Sequence, residues 1–328
     1  MYVFIYWIKA IAAILITNSH YGDIWPISAM AFGGMLGNCL FFATAGFLLW
    51  NLKDAFPLWY CKRMLRIYPV FWLAVLLDLV AGRYAVKDLQ DIIDYFIYPT
   101  TWFHFIASIL VLYVVFYFLV YVSQKYCVDI RWIMASVFIV YLVLYFFAYD
   151  KSYYHIDFVE ERMVRFLFLE CMLMGGLLRK RMQSGKETAG NRGKNAAKVL
   201  VLLIVYVLSK LMFDRYVSIS GFQIINQIIL FILVYQIFVL AEDMELRGSR
   251  LERMPVLPAL VRFIAALTLE IYVGQYLVLY LLPKTRFPIS FILTTGAIVL
   301  YAWLLHMLGS FVGKRLLSKL NRQGETGV

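Results

Sequence analysis

The chain has 328 residues, 63% of them hydrophobic and only 16% charged, with a formal net charge of +11. A soluble domain of this length carries about a quarter charged residues, so the composition excludes an ordinary soluble globule and points to one membrane-embedded domain over residues 1–328. The basic excess alone invites a nucleic-acid partner, but its placement, described below, excludes one.

A helix needs about 20 apolar residues to cross the hydrocarbon core. By that measure ten spans are predicted, at 3–21, 27–50, 68–82, 103–122, 131–149, 163–178, 199–213, 222–241, 263–282 and 290–312. The runs are too long and continuous for barrel strands, and backbone groups in lipid must be satisfied internally. The expected fold class is therefore all-α, a bundle of about ten transmembrane helices. The first stretch lacks a basic leader and a small-residue cleavage site, so it reads as a retained span rather than a signal peptide.

Orientation follows the distribution of Lys and Arg between spans. With the N-terminus cytoplasmic, the inner loops and tail, together with Arg131 at the inner end of the fifth span, hold 21 basic residues and the outer loops 6, while Lys9, Arg162, Arg165 and Lys210 lie within other spans or at their ends. Both termini are expected inside. The densest cluster, "RKRMQSGKETAGNRGKNAAK" at 179–198, is a cytoplasmic loop between spans six and seven and reads as a topological anchor and solvated linker. Residues 313–328 form a polar cytoplasmic tail. The outer loops collect Asp88, Asp91, Asp94, Asp150, Asp157, Glu160 and Glu161 instead, so the charge is an inside-loop bias and not a nucleic-acid surface.

The first span, within "WIKAIAAILITNSHYGDIW", holds Lys9 and His20, eleven residues apart. On a continuous helix that spacing returns to within roughly 20° and rises about 16 Å, so the two would share a face. Thr17, Asn18 and Ser19 make the outer end polar. Ionisable groups are costly in the bilayer and usually line a path or site. His20 is the histidine best placed for chemistry, since an imidazole titrates near neutrality and suits general-base work without a metal. His104 and His155 lie near outer segments, and a hydrogen bond in the bundle would explain His306.

The second span is rich in small residues, "GGMLGNCLFFATAGFLLW", and Gly33, Gly34, Gly37 and Gly46 permit close helix approach. Before the third span stands "WYCKRMLRIYPVFW" with Lys62, Arg63 and Arg66. Arg63 and Arg66 project from adjacent positions on a helical turn and suit phosphate oxygens. The same pattern also fits ordinary positive-inside flanking. Pro69 fits the entry of a helix. Asp78, Glu170, Lys210 and Glu270 sit in apolar runs; each is a site candidate in principle, and salt bridges within the bundle explain them equally well. Cys39 and Cys171 fall in apolar runs, Cys61 and Cys127 in predicted loops, with no disulfide or zinc spacing. No Gly-rich phosphate loop, paired metal ligands or serine elbow is present, which excludes an ATP-driven pump.

Taken in order, these stretches resemble the integral-membrane acyltransferase family 3, bacterial O-acyltransferases of surface glycans. The family's Arg, ten residues and His in the first span correspond to Lys9 and His20, with Lys in place of Arg. Its "FF…SGFL" segment resembles "FFATAGFLL" at 41–49, with Ala45 for Ser, and its R-x-x-R with Tyr-Pro matches Arg63, Arg66, Tyr68 and Pro69. "TWFHFIASILVLYVVF" at 101–116 is similar to its Trp-Phe helix, and "LTLEIYVGQYLV" at 267–278 to a later segment, where Gln275 replaces a common His. The resemblance implies transfer of an acyl group, most simply acetyl, from cytoplasmic acyl-CoA to a hydroxyl of a cell-surface glycan or glycolipid precursor. It implies that Arg63 and Arg66 hold the donor's phosphates, that Lys9 lines the donor's path or places the thioester, and that His20 is catalytic. No metal is implied, and the location is the bacterial cytoplasmic (inner) membrane. The rival reading is a transporter or flippase for a lipid-linked sugar, with His20 and the buried carboxylates as a proton path; a membrane scaffold subunit is a third.

Overall fold

The computed structural model describes residues 2–100, 103–185, 190–246, 256–283 and 286–325. Of the sequence features above, Thr101, Trp102, Lys186, Arg247, Arg250, Arg253 and Lys284 lie outside the described residues. The described residues are helical, with no strand among them. In chain order the helices are α1 (Val3–Asn18), α2 (Gly34–Leu49), α3 (Phe56–Val80), α4 (Leu89–Ile92, continued as a π-helix over Ile93–Ile97), α5 (His104–Lys125), α6 (Ile130–Ala148), α7 (Val164–Gln183), α8 (Arg192–Arg215), α9 (Ile224–Leu246), α10 (Leu257–Ala266), α11 (Thr268–Leu281) and α12 (Ile289–Glu325). Each predicted span overlaps at least one helix, and the ninth overlaps two. Among the described residues six helical segments are long and apolar enough to cross a membrane, or seven if α10 and α11 count as one bent span. The protein is a multi-pass helical membrane protein.

Several helix ends differ from the apolar runs for local reasons. Helix α3 begins at Phe56, twelve residues before the predicted span, because Pro57 sits in its first turn where a missing N–H is harmless. Pro69 is therefore inside α3 and not at a helix entry, and Cys61 lies on the helix and not in a loop. The second span is not one α-helix from residue 27: a 3-10 turn at Ser28–Met30 precedes Gly33, whose φ of +101° lies outside the helical region and suits glycine. The predicted ninth span is broken at Leu267 by a 74° bend. There the Thr268 hydroxyl donates to the Ala265 carbonyl at 2.9 Å, so a side chain takes an acceptor that helix continuation would have used. Asp129 and Asn191 cap α6 and α8, accepting from Arg131 N–H at 3.0 Å and Gly193 N–H at 3.0 Å. The Arg131 guanidinium on the exposed Asp129 carboxylate, with that backbone bond, holds its pKa down to about 2.

The chain folds as two compact units, each built from separated stretches. The first comprises Met1–Ala12, Met35–Leu52 and Ser108–Arg262. Its centre is a glycine crossing of α2 and α7: a Cβ on Gly46 would fall on the Met172 carbonyl, and one on Gly175 on the Ala43 carbonyl. Two backbones meet with no side chain between them. Phe42 stacks on Phe168 beside the crossing, centroids 4.4 Å apart, and Cys39 and Cys171 are fully buried there. At one end of this unit Arg181 on α7 pairs with Glu242 on α9 at 2.8 Å, and Glu245 accepts from the Phe4 N–H at 2.7 Å, satisfying a free donor of α1's first turn. Glu170 is buried on α7.

The connection between α6 and α7 in this unit is irregular but held by side chains of α9 and the turn before it. Gln223, wholly buried, accepts from the N–H groups of His155 and Ile156, both at 3.0 Å, and donates to the Tyr153 carbonyl at 2.9 Å. Gln227 donates to the Ile156 carbonyl at 2.6 Å. His155 lies between Tyr149 and Tyr153, and Asp157 accepts from Tyr154 at 2.6 Å with Lys210 at 3.6 Å. The ion pair expected of Lys210 is thus present. Burial pushes the Asp157 carboxyl upward, opposed by Lys210 and Tyr154. Gln223→Leu keeps the volume and strands two buried N–H groups, while the Tyr153 carbonyl keeps the His155 ring nitrogen at 2.9 Å; unfolding of the purified protein is expected to become roughly 2–5 kcal/mol easier, with an unchanged melting temperature overturning this account.

The second unit comprises Ala13–Gly34, Lys53–Ala107 and Phe263–Val328. Here α11 and α12 pack on α3 and on each other. Gly309 on α12 seats against Val70, and a Cβ on Gly313 would come within 3.1 Å of the Leu65 carbonyl, the group Pro69 leaves without its helical donor. The π-helix is pinned to α3 by Tyr68, whose hydroxyl donates to the Ile97 carbonyl at 2.7 Å, and by Trp72, whose ring N–H donates to the Phe96 carbonyl at 2.8 Å. Glu270 on α11 and His306 on α12 are 2.7 Å apart, the bundle hydrogen bond expected of His306.

Candidate active site

Helix α1 ends at Asn18, short of the predicted residue 21, and tightens into 3-10 turns as His20 N–H reaches Thr17 O at 3.1 Å and Tyr21 N–H reaches Asn18 O at 3.0 Å. His20 therefore stands in the turn after the helix. The eleven-residue straight-helix arithmetic, which would have set Lys9 and His20 on one face, does not extend that far. Lys9, half-buried, belongs to the first unit; His20, Arg63 and Arg66 belong to the second.

The turn is built from its neighbours. Asn18 donates to the carbonyls of Met30 and Phe32 at 2.9 and 3.0 Å and accepts from the Trp25 ring N–H at 2.8 Å. Ser19 turns back to the Ile16 carbonyl at 2.7 Å, and Tyr21 is buried against Ile271, Val278 and Ile298 with its hydroxyl 3.1 Å from Thr295. The polar triplet before His20 thus holds the loop, and His20 itself is left exposed.

The histidine faces Tyr276 of α11. Nε2 lies 3.4 Å from the Tyr276 hydroxyl, and the rings meet edge-on with centroids 5.0 Å apart. Phe103 and Tyr272 wall the phenol at 5.4 and 5.9 Å. Arg83, just beyond α3, sets its guanidinium 5.2 Å from the centre of the Tyr276 ring and 4.8 Å from that of Tyr84. Asp78, fully buried near the end of α3, anchors Arg83 at 3.1 Å, the ion pair expected of it. Gln275, next to Tyr276, is fully buried. Among the described residues no group of three or more His, Cys, Asp or Glu stands ready to hold a metal ion.

The basic cluster lies on the first turns of α3. Lys62 is paired with Asp54 at 3.0 Å. Arg63 lies over the buried Trp59 ring at 4.6 Å and donates to the Trp59 carbonyl at 3.2 Å, while Arg66 is exposed. The two arginines share the helix but differ in how far their guanidinium groups are already engaged.

A family model described as an acyltransferase domain matches residues 2–313, nearly the whole chain. The chain belongs to acyltransferase family 3. No curated protein and no solved structure matches it. In this membrane acyltransferase three positions that the resemblance singles out, His20 in the turn after α1 and Arg63 and Arg66 on α3, all lie in the second unit, where the polar cluster around His20 stands. Tyr276 and Arg83 escaped the sequence reading: Tyr276 is one of 24 tyrosines, and Arg83 looks like an outer-loop charge until its five-residue spacing from the intramembrane Asp78 is noticed.

Proposed function

We propose that this acyltransferase moves an acyl group, acetyl in the simplest case, from cytoplasmic acyl-CoA to a hydroxyl of a cell-surface glycan or glycolipid precursor. The observation that carries the proposal is the accessible His20 imidazole, held in a braced turn beside the Tyr276 hydroxyl, whose ring the Arg83 guanidinium covers. In this reading His20 takes the acceptor's proton as general base. Arg63 and Arg66 hold the donor's phosphates, with Arg66 free to offer the fuller contact. Lys9 is assigned to the donor's path by the family pattern alone. The family pattern places the protein in the bacterial cytoplasmic membrane; the apolar runs suggest ten spans, and the distribution of basic residues puts both termini inside.

The test is acetyl-CoA binding by the purified protein. Removing two charge-assisted phosphate contacts in Arg63→Ala/Arg66→Ala is expected to raise Kd by about 10²-fold or more, and Arg66→Ala alone to do more than Arg63→Ala. Wild-type protein that binds no acyl-CoA would overturn the proposal. The bend between α10 and α11 favours the transporter reading, since broken helices mark substrate sites in transporters. Movement of a lipid-linked sugar without any acyl donor would support that alternative.

A further inference from the structure

Resting on the acyl-transfer reading, we propose that Tyr276 is a catalytic residue: its hydroxyl donates to the oxyanion formed on the acyl carbonyl, and Arg83, anchored by Asp78, is the positioning residue that strengthens that donor. Arg83 lies outside every stretch that resembles the family, and Tyr276, though it falls within the 267–278 segment, is the residue after the position where Gln275 replaces the common His. The inference comes from what surrounds His20.

The separation of 3.4 Å between His20 Nε2 and the Tyr276 hydroxyl is longer than an ordinary hydrogen bond to a hydroxyl. The phenol proton is therefore not committed to the imidazole, and both groups border the space where His20 is exposed. A base and an O–H donor facing one space are the two parts acyl transfer requires. The phenol is rigidly aimed: Phe103 and Tyr272 fix the ring edge-on, and the Arg83 guanidinium lies over it. A cation over the ring face draws on its electron density and makes the hydroxyl a stronger donor. Arg83 is itself held by the buried Asp78, so the charge stays in place.

In the reaction the acceptor oxygen bonds to the acyl carbon as its proton passes to His20. The carbonyl π pair moves onto the oxygen, where the Tyr276 O–H stabilises it. That pair returns as the C–S bond breaks, and the departing sulfur takes the proton from the His20 imidazolium. Atoms and charge balance with no further reactant.

The experiment measures free thiol released from acetyl-CoA by the purified full-length protein, with water as acceptor, alongside acetyl-CoA binding. Tyr276→Phe keeps the ring and its packing and removes only the hydroxyl. It is expected to lower kcat by about 10²-fold, the range for loss of one oxyanion donor, with KM for acetyl-CoA little changed. Arg83→Gln, made together with Asp78→Asn so that no buried carboxylate is left alone, is expected to lower kcat by roughly tenfold while binding persists, and Arg83→Lys to recover part of it. A Tyr276→Phe protein with wild-type kcat, or one that loses only affinity, overturns the assignment while leaving the acyl-transfer reading intact. Wild-type protein that neither binds acetyl-CoA nor releases thiol overturns that reading, and this assignment with it.

Discussion

Gly46→Ala is expected to leave little or no folded protein. The added methyl would fall on the Met172 carbonyl of α7, and in Gly175→Ala it would fall on the Ala43 carbonyl of α2. Overpacked cores usually lose about 1–3 kcal/mol because side chains can turn aside. Here both colliding partners are backbone, so the helices must separate along their whole contact. Separation would pull Phe42 from Phe168 and open the fully buried surroundings of Cys39 and Cys171. A loss of about 5 kcal/mol or more, against a total stability of roughly 5–15, removes most of the margin. The check is the monodispersity and melting temperature of the detergent-purified protein. Gly296→Ala on α12 is the control, because a Cβ there meets nothing and alanine is the better helix former. Gly46→Ala with wild-type melting would show that the crossing tolerates a side chain.

The second large effect is on turnover. His20→Ala is expected to reduce acyl transfer by about 10²–10⁴-fold, the usual worth of a positioned general base, while acetyl-CoA binding and melting temperature hold. The fold should survive because the turn is secured by Asn18, Ser19 and Tyr21, whereas His20 is exposed. Comparing this variant with the arginine variant separates the two proposed ends of the site: one should bind without reacting, the other should fail to bind. Retained turnover in His20→Ala would move the chemistry elsewhere in the molecule.

Much of the fold was legible because lipid imposes a simple rule: long apolar runs become helices, and each predicted run is helical over most of its length. What the runs could not show was where a helix stops. Helix α3 extends twelve residues into polar sequence because Pro57 starts it well, and the break at Leu267 lies inside an unbroken apolar run where only the Thr268 hydroxyl marks it. His20 was legible because a polar residue in an apolar stretch is costly and needs a reason. The buried carboxylates were legible for the same cause, and Asp78 and Glu270 have the partners their cost demands. Tyr276 was not legible, since an aromatic residue costs nothing in such a helix and its significance comes only from the residue it faces.

Helix α3 carries Arg63 and Arg66 in its opening turns and Asp78 near its far end. Twelve residues separate Arg66 from Asp78, a rise of about 18 Å. On the proposed function, the interval between the donor's charged head and the group that steadies the reacting end is written as a residue count along a single rod. Loops on either side can then drift in length and composition without detuning it. The helix serves the enzyme as a ruler.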